Sequence, residues 1–454
     1  MKGQDFKEYI STFNKFAQKY ISPQPWKPND EALYKPINIY EVPLKEADEM
    51  RFNAIKYAFT YHYKHSPFYN NFCKENNITP DEIKTVDDLK KIPLIPDNFF
   101  KDYPNGKEFA AWLANIFTGE LPNVVINKKN PSFDDVINSF NDAGLAISYS
   151  SGTSGRHTFI PRDKKTFYAS EYAIAKTVIT MIYPFWEYDI DGYVLMPNPF
   201  KTNVYAGKVC SVFFDVIKNV DVAIDREVTT DIIQAAMRGG IKSSVIKFVM
   251  KRENKKMIRR IINWLRRMAK EGRKIAFVGA PFILYFVMDE MERNGETFNF
   301  GENGAVVTGG GWKIYEDKRV PVEKFRKRVE EFLGIPPQNC LDLYGMVEGN
   351  GWMVHCPEGH YLHIPYTYFQ PLILNEEYEV IGYNEWGRFA FLDSLATSYP
   401  GFIISGDRVR MLEHCPVCER PGPVLEPEVK RERGEEMRGC AEEMRRMLSM
   451  DLGK

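Results

Sequence analysis

The chain is poor in the features that mark membrane and secreted proteins. Its longest uncharged apolar run, residues 275–288, is too short to cross a bilayer, and its N-terminus carries charges where a signal peptide has an apolar core. Seven cysteines among 454 residues are too few and too unevenly placed for a disulfide framework. These absences predict a cytoplasmic protein with no membrane span, long enough for one large domain with smaller appendages.

The net charge is also close to zero, because 60 Lys and Arg residues nearly balance 61 Asp and Glu residues. This balance argues against a nucleic-acid partner. Residues 242–274 are the exception, with thirteen basic side chains against Glu253 and Glu271. Apolar residues such as Ile261 and Leu265 share one side of this stretch, which predicts a surface helix with a solvated basic face. The alternative is a docking surface for an acidic carrier protein or for the phosphates of coenzyme A.

Short apolar runs alternate with helical stretches after about residue 140, which indicates an α/β fold with parallel strands and crossover helices. The predicted strands are residues 192–196, 211–216, 275–279, 305–308 and 340–344, and the predicted helices are residues 170–181, 255–269 and 322–332. Residues 1–140 are expected to form a helical N-terminal segment packed on the core, with its clearest helix at 46–63. Residues 141–405 would form the α/β nucleotide-binding core, and residues 406–454 a short C-terminal arm.

The most distinctive stretch is Ser-Tyr-Ser-Ser-Gly-Thr-Ser-Gly at residues 148–155, which combines small hydroxyl side chains with two glycines. Glycine lets backbone N–H groups turn toward an anion, and hydroxyls add neutral donors, so the stretch suits phosphate. It is not a Walker loop, since Arg156 and His157 stand where that pattern needs lysine. Residues 145–147 are typical of a buried strand, which would place the loop at a strand end of the sheet. The alternative is an ordinary Gly/Ser turn.

Three further motifs each follow a predicted strand. The first is a run of glycines, which lets flat backbone lie against a flat purine; its members are Gly309, Gly310 and Gly311. The second places Tyr344 before Glu348, and a carboxylate near bound triphosphate is a natural Mg²⁺ ligand. The third ends in Asp407, which is suited to accept hydrogen bonds from both ribose hydroxyls. Each motif alone is weak evidence.

In this order the motifs resemble those of the adenylate-forming enzymes, which join a carboxylic acid to AMP. Within that superfamily the chain is similar to the acyl-protein synthetase family of bacterial bioluminescence. The similar phrases are VGAPF (278–282), TGGGWK (308–313), IPPQNCLDLYGMVEG (335–349), HYLHIP (360–365) and CPVCERPGP (415–423). The phrases HSPFYNNF and TVDDLKKIPLIP also resemble the phenylacetate–CoA ligases. The resemblance runs from about residue 50 to 425.

The resemblance implies a large mixed or parallel sheet flanked by helices, a helical N-terminal segment and a truncated C-terminal domain. It implies ATP and Mg²⁺ as cofactors, with Glu348 on the metal, Asp407 on the ribose, and Tyr344 and the three glycines around adenine. The β- and γ-phosphates would lie on the loop residues Ser150, Ser151, Gly152, Thr153, Ser154 and Gly155. Lys313, at the end of the TGGGWK phrase, is a further catalytic candidate. Relatives often have a lysine just after the loop; here Arg156, His157 and Arg162 leave the phosphate cation open.

The C-terminal end separates subfamilies. CoA ligases carry roughly a hundred residues after the ribose aspartate, with a catalytic lysine near their end, whereas here the chain ends at residue 454. Acyl-protein synthetases are similarly short and carry a cysteine that takes the acyl group, which the resemblance assigns to Cys440. The alternative is packing, because Met437, Cys440, Met444 and Met447 recur at helical spacing.

Four residues downstream have the spacing of a metal site. Cys356 and His363 are followed by Cys415 and Cys418, and three thiolates with one imidazole suit tetrahedral structural zinc. His355 and His360 are competing imidazoles. The alternative is a pair of free cysteines in a turn.

The predicted function is therefore ATP-dependent activation of a fatty or aryl carboxylic acid to an acyl-adenylate with release of pyrophosphate. The acyl group would then pass to a protein thiol, of the chain itself or of an accepting reductase or carrier. One alternative is an acyl- or aryl-CoA ligase. Another is a non-catalytic nucleotide-binding scaffold, which Glu348 and Asp407 argue against because a scaffold has no need of a Mg²⁺ carboxylate.

Overall fold

The computed structural model describes residues 5–150, 156–231, 233, 241–312, 315 and 318–431, with side chains for all of these except 241–251 and 431. Residues 151–155 of the predicted phosphate loop, together with Lys313 and Cys440, lie outside the described residues. Ser150 is therefore the described member of the predicted phosphate-binding set.

The chain before the predicted phosphate loop is mainly helical, as predicted. Helices α1 to α6 span Phe6–Phe16, Pro28–Tyr34, Leu44–His65, Pro67–Glu75, Lys107–Ile116 and Phe133–Asp142. Local sequence fixes the start of α4, where Ser66 accepts a hydrogen bond from the Tyr69 N–H and Pro67 occupies the first turn. Proline is tolerated there because its missing N–H would have no partner within the helix. The predicted helix at 46–63 is confirmed as part of α3.

The predicted phosphate loop connects two short strands, β2 (Ala146–Tyr149) and β3 (Phe159–Arg162). They pair antiparallel as a separate two-stranded sheet, which we call the β2–β3 hairpin. The predicted strand at 145–147 is thus confirmed, but its expected place in the main sheet is wrong. The chain folds back after the loop, and β3 supplies the strand's hydrogen-bonding partner.

A large mixed sheet forms the centre of the fold. Its parallel part has the order β5-β4-β6-β7-β8, formed by β4 (Asp191–Pro197), β5 (Asn219–Ile224), β6 (Ile275–Gly279), β7 (Gly304–Gly309) and β8 (Cys340–Tyr344). The sheet continues antiparallel through β9 (Met353–His355), β10 (Leu362–His363), β14 (Val424–Leu425), β13 (Phe402–Leu412), β12 (Trp386–Asp393) and β11 (Phe369–Leu374). A last short strand, β15 (Lys430–Arg431), also pairs with β13. The predicted α/β class with parallel strands is confirmed.

The helices of this region are α7 (Lys164–Met181), α8 (Tyr205–Lys208), α9 (Phe213–Val216), α10 (Ile241–Glu271), α11 (Pro281–Asn294) and α12 (Val322–Leu333). The helices predicted from sequence are confirmed within α7, α10 and α12. The predicted strand at 211–216 is wrong, because it forms α9 and the 3-10 turn Val209–Val212. Its buried residues Val212, Phe213 and Val216 follow helical spacing instead of alternating, and the true strand is the following β5.

Helix α7 runs through the middle of the core and is buried on all sides, including two charged residues. Lys176 is fully buried, and its Nζ donates to the carbonyls of Leu33 and Pro36 at 2.9 and 2.6 Å. Glu171 is 2% exposed and accepts a hydrogen bond from the Ser211 hydroxyl. Burial raises the pKa of Glu171 to about 8.

Some of the described basic side chains of helix α10 contact their own chain. Arg266 binds both carboxylate oxygens of Glu296 at 2.6 and 2.7 Å, and Arg260 donates to the Ala223 carbonyl. These contacts favour the interpretation as a surface helix with a solvated basic face. No helix in the described part of the chain combines the length and apolar character that crossing a bilayer requires.

A short N-terminal strand reaches the far part of the main sheet. In β1 (Ile95–Pro96), Ile95 pairs parallel with Ile403 and Pro96 with Ile404 of β13. The 3-10 turn Asp97–Lys101 follows directly. A Cβ at Gly406 would lie 3.3 Å from the Asp97 carboxylate, so this turn lies beside the predicted ribose site.

Candidate active site

The base of the predicted phosphate loop is closed by reciprocal hydrogen bonds. The Ser150 N–H donates to the Thr158 carbonyl at 3.0 Å, and the Thr158 N–H donates to Ser150 Oγ at 2.9 Å. The His157 ring hydrogen-bonds the Ser150 carbonyl at 2.7 Å through Nδ1. Ser150 is thereby held against His157 and Thr158 on the other side of the hairpin.

Glu348 lies in the turn after β8 and is 6% exposed. Burial raises the pKa of its carboxyl above the usual value, and the charge of Asp97 adds to this effect. The charge of Lys101 and a hydrogen bond from Thr158 offset part of the rise. Through Thr158, the carboxylate lies next to the base of the β2–β3 hairpin. The structure thus brings Glu348 and Ser150 to one place, although the two lie far apart in sequence.

Tyr344 and Asp407 are in direct contact, with the Tyr344 hydroxyl donating to Asp407 Oδ2 at 2.7 Å. Asp407 lies in the middle of β13, and its N–H donates to Ser405 Oγ at 3.2 Å. Burial, followed by the charge of Asp407, raises the pKa of Tyr344 well above its usual value. The two residues expected to bind adenine and ribose are therefore neighbours, as adjoining parts of one nucleoside require.

The glycine run ends β7 beside this pair. A Cβ at Gly309 would meet the Leu343 Cβ at 3.1 Å, so β7 approaches β8 closely there. Gly310 and Gly311 adopt φ of +79° and +68°, a left-handed backbone that favours glycine. A Cβ at Gly311 would meet no described atom within 4 Å, which leaves an open face over the end of the strand.

The three cations named from sequence lie in different surroundings. Arg156 is exposed and pairs with Asp102 at 3.1 Å. His157 is buried, and burial lowers the pKa of its imidazole. Arg162 is fully buried, and its Nη2 donates to the Val347 carbonyl at 2.5 Å.

Lys101 is a site residue that sequence reasoning did not identify. Its Nζ hydrogen-bonds Asp97, and its charge acts on the Glu348 carboxylate. The available signal was the extended Pro-Leu-Ile-Pro run at residues 93–96, which is typical of a short edge strand. That run does not reveal that its partner is β13, so the approach of Lys101 to Glu348 could not be read from sequence.

The four predicted metal ligands converge. One ligand atom from each of Cys356, His363, Cys415 and Cys418 lies within 4.8 Å of the other three. Cys418 Sγ is 3.3 Å from His363 Nε2, and Cys356 Sγ is 3.9 Å from Cys415 Sγ. Cys418 is partly exposed and the other three are buried.

The competing imidazoles are placed outside this set. His355 Nδ1 is 2.9 Å from Arg326 Nη2 and accepts from the Asp342 N–H at 3.1 Å. His360 is a non-glycine residue with a left-handed φ of +56° in the turn between β9 and β10. The structure therefore groups the residues predicted as ligands and leaves both other histidines outside the cluster.

Comparison with known proteins places the chain in a family. Residues 134–449 match the family model described as acyl-protein synthetase, LuxE. The long-chain-fatty-acid–luciferin-component ligase of Vibrio harveyi is 23% identical over 402 residues, covering 88% of each chain. The corresponding ligase of Aliivibrio fischeri is 22% identical over 412 residues, covering 90% of this chain and 91% of its own.

Solved structures establish the fold. The open conformation of 2-hydroxyisobutyryl-CoA ligase, in complex with 2-HIB-AMP and CoA, superposes with a TM-score of 0.57 at 13% identity. The match covers 86% of this chain and 71% of that one. The same ligase in its postadenylation state gives a TM-score of 0.58 at 14% identity, over 86% and 69% of the two chains. A family match over most of its length shows that the chain, which has the fold of a solved ligase, belongs to the acyl-protein synthetase family and is itself a ligase.

Proposed function

We propose that this protein activates a long-chain fatty acid with ATP at the site around Glu348 and passes the acyl group to a protein thiol. The observation that carries the proposal is that β3 of the β2–β3 hairpin bonds the turn that carries Glu348, since Arg162 Nη2 donates to the Val347 and Gly349 carbonyls. The neighbouring Tyr344–Asp407 pair supplies an aromatic ring and a carboxylate for the nucleoside. The fatty-acid specificity is inferred from the likeness to the long-chain-fatty-acid ligases of Vibrio harveyi and Aliivibrio fischeri.

The first step is attack of the substrate carboxylate on the α-phosphorus of ATP. An oxygen–phosphorus bond forms, the bond to pyrophosphate breaks, and the products are acyl-AMP and pyrophosphate. Little covalent chemistry falls to the protein, so positioning and charge neutralisation supply most of the rate. Lys101 lies where it offsets negative charge beside Glu348, and Asp407 orients the ribose so that the α-phosphorus faces the acid.

Glu348 fits a Mg²⁺ ion. Its carboxylate is buried, and burial raises its pKa because the ionised form is poorly solvated there. A cation that binds beside the carboxylate would stabilise the ionised form. Mg²⁺ prefers one or two carboxylates alongside phosphate oxygens, and it would supply charge neutralisation of the triphosphate. The role of Glu348 is to hold that charge at a fixed place relative to the β2–β3 hairpin.

In the second step a thiolate attacks the acyl carbon, a thioester forms, and AMP leaves with the bonding electrons. We assign the accepting thiol to Cys440, which lies outside the described residues. Coenzyme A is the competing acceptor, and it would make the protein a CoA ligase.

We also propose that Cys356, His363, Cys415 and Cys418 hold a structural zinc ion. Their number, atom types and spacing match the tetrahedral sulfur–nitrogen sites that zinc prefers. The ion would join the β9–β10 hairpin to the segment between β13 and β14, and so brace the sheet near the strand that carries Asp407.

Acid-dependent exchange of labelled pyrophosphate into ATP tests the activation step. We expect exchange to rise with fatty-acid chain length and to be weak with an aryl acid. Equal exchange with the aryl acid would overturn the fatty-acid assignment, and no exchange with any acid would overturn the proposed function.

A further inference from the structure

Arg162 is a buried arginine at the end of β3, directly behind the turn that carries Glu348. Its Nε donates to Asn350 Oδ1 at 2.8 Å. Its Nη2 donates to the carbonyls of Val347 and Gly349 at 2.5 and 3.2 Å. Among the described residues no carboxylate forms a direct ion pair with it. Backbone, amide and hydroxyl oxygens accept its hydrogen bonds, and the nearby Asp393 carboxylate adds opposite charge.

Two tyrosines also hydrogen-bond the backbone of this turn. The Tyr399 hydroxyl donates to the Glu348 carbonyl and the Tyr205 hydroxyl to the Gly349 carbonyl, each at 2.9 Å. The Arg162 guanidinium lies 4.3 Å from the centre of the Tyr205 ring, within the range of cation–π attraction. Three consecutive carbonyls, at positions 347, 348 and 349, therefore accept hydrogen bonds from one buried cluster.

The cluster is anchored on its far side as well. The backbone N–H and side-chain amide of Asn350 both donate to Asp393 Oδ2, at 2.6 and 3.1 Å. Asp393 is fully buried and its other oxygen accepts from the Leu395 N–H at 2.9 Å. The turn is thus held from below by β3 and from the side by the end of β12.

We propose that Arg162 is a positioning residue that fixes the Glu348 carboxylate relative to the β2–β3 hairpin. The inference rests on the proposed function, in which Glu348 holds Mg²⁺ against the triphosphate. Arg162 suits this role because its planar fork bonds several acceptors in one fixed geometry, which a lysine ammonium does not reproduce. Displacing a catalytic group by about 1 Å lowers the rate by up to ~10²-fold. Loss of the guanidinium fork should therefore displace the Glu348 carboxylate and lower the rate of adenylate formation.

The test compares Arg162→Lys, Tyr399→Phe and Glu348→Gln, singly and as the double variant of Arg162→Lys with Glu348→Gln. Two quantities are measured: the gain in ATP affinity when Mg²⁺ replaces chelator, and the rate of acid-dependent pyrophosphate exchange. An acyl-sulfamoyl adenosine analogue, titrated with chelator present, reports nucleoside binding without metal.

The matched control is Arg51→Lys. Arg51 is also a buried arginine, and it donates to Gln370 Oε1 at 2.8 Å and to the Tyr366 carbonyl at 2.7 Å. Its bonds lie away from the Glu348 turn, so it reports the general cost of removing a buried guanidinium fork. We expect lower thermal stability in this variant with an unchanged Mg²⁺ effect on ATP affinity.

For Arg162→Lys we expect exchange about tenfold or more below wild type, loss of most of the Mg²⁺-dependent gain in ATP affinity, and analogue binding close to wild type. Tyr399→Phe should show the same pattern more weakly. In the Glu348→Gln background Arg162→Lys should cause little further loss, because both changes remove one function.

Equal losses from Arg162→Lys in the wild-type and Glu348→Gln backgrounds would overturn the proposal, because the arginine would then act independently of the carboxylate. The proposal would also be overturned if Mg²⁺ raised ATP affinity in both Arg162→Lys and Tyr399→Phe as much as it does in wild type. If Arg162→Lys does not fold, Tyr399→Phe decides alone, since it removes one oxygen and keeps the ring. Failure of wild-type exchange refutes the proposed function, while the Mg²⁺ effect on ATP affinity still tests the positioning role.

Discussion

The carboxylate of Glu348 is the single group on which the proposed chemistry depends most. Glu348→Gln keeps the shape and the hydrogen bond from Thr158 but removes the charge, so we expect pyrophosphate exchange to fall by at least ~10²-fold with the fold intact. Circular dichroism and exchange kinetics check this. Glu296→Gln, which removes the half-buried partner of the exposed Arg266, is the control and should leave exchange unchanged. Normal exchange in Glu348→Gln would remove its assigned role.

Glu171 predicts how stability depends on pH. Burial raises its pKa to about 8 in the folded chain, whereas the unfolded chain releases the same proton near the ordinary value of 4.5. Between these values the folded state binds more protons, so this residue makes stability fall as pH rises, by at most about 1.4 kcal/mol per pH unit. Glu171→Gln should therefore gain stability over wild type progressively from pH 5 to pH 8, as measured by urea unfolding.

The control for that experiment is Glu187→Gln, since Glu187 is exposed and pairs with Lys274 at 3.1 Å. It should keep the wild-type dependence on pH. If the free energies of unfolding of Glu171→Gln and wild type differ by the same amount from pH 5 to pH 8, Glu171 is ionised in the folded protein and the prediction is wrong.

Some of the proposed site residues could be identified from sequence and others could not. Gly309, Tyr344, Glu348 and Asp407 could be proposed from sequence because each belongs to a motif at a predicted strand end and has a side chain, or the lack of one, suited to part of a nucleotide. Lys101 was not identifiable, since nothing local distinguishes it from the other lysines of a charged chain. Its proximity to Glu348 depends on the pairing of β1 with β13, which only the folded chain reveals.

Among the elements, the β9–β10 hairpin and the segment before β14 meet at the four predicted zinc ligands. We expect about one zinc ion per chain in protein purified without chelator. Cys415→Ser and Cys418→Ser should lose the metal and unfold at lower temperature, because structural zinc contributes directly to folding free energy. Elemental analysis and calorimetry measure both effects. Cys340→Ala, which removes a buried thiol outside the cluster, should keep the metal.

Elements differed in how well their sequences predicted them. The strand at 275–279 was predicted at its observed bounds because a fully buried parallel strand gives a continuous apolar run. The run at 211–216 is equally apolar but packs one helical face, and short apolar runs do not separate the two cases. The grouping of the four predicted metal ligands could be predicted from spacing, whereas the network around Arg162 joins four distant segments and leaves no local pattern.

At the scale of the whole molecule, activation and transfer should be separable. If Cys440 accepts the acyl group, ATP, Mg²⁺ and fatty acid alone should leave a hydroxylamine-labile thioester on a peptide that contains it. Cys440→Ser should keep pyrophosphate exchange and lose acyl delivery, because an alkoxide forms far less readily than a thiolate near neutral pH. Peptide mass mapping measures the thioester. Wild-type delivery to coenzyme A by Cys440→Ser would favour the CoA ligase alternative.

The pairing of Ile95 with Ile403 also has a consequence for biosynthesis. During translation the N-terminal helices leave the ribosome long before β13 exists, so β1 has no strand partner until residues 403 and 404 have been made. Such distant pairing raises contact order and slows the last stage of folding. The turn that carries Lys101 therefore reaches β13 only after synthesis has passed that strand, and a ribosome stalled before that point carries a nascent chain in which the proposed ATP site is not assembled.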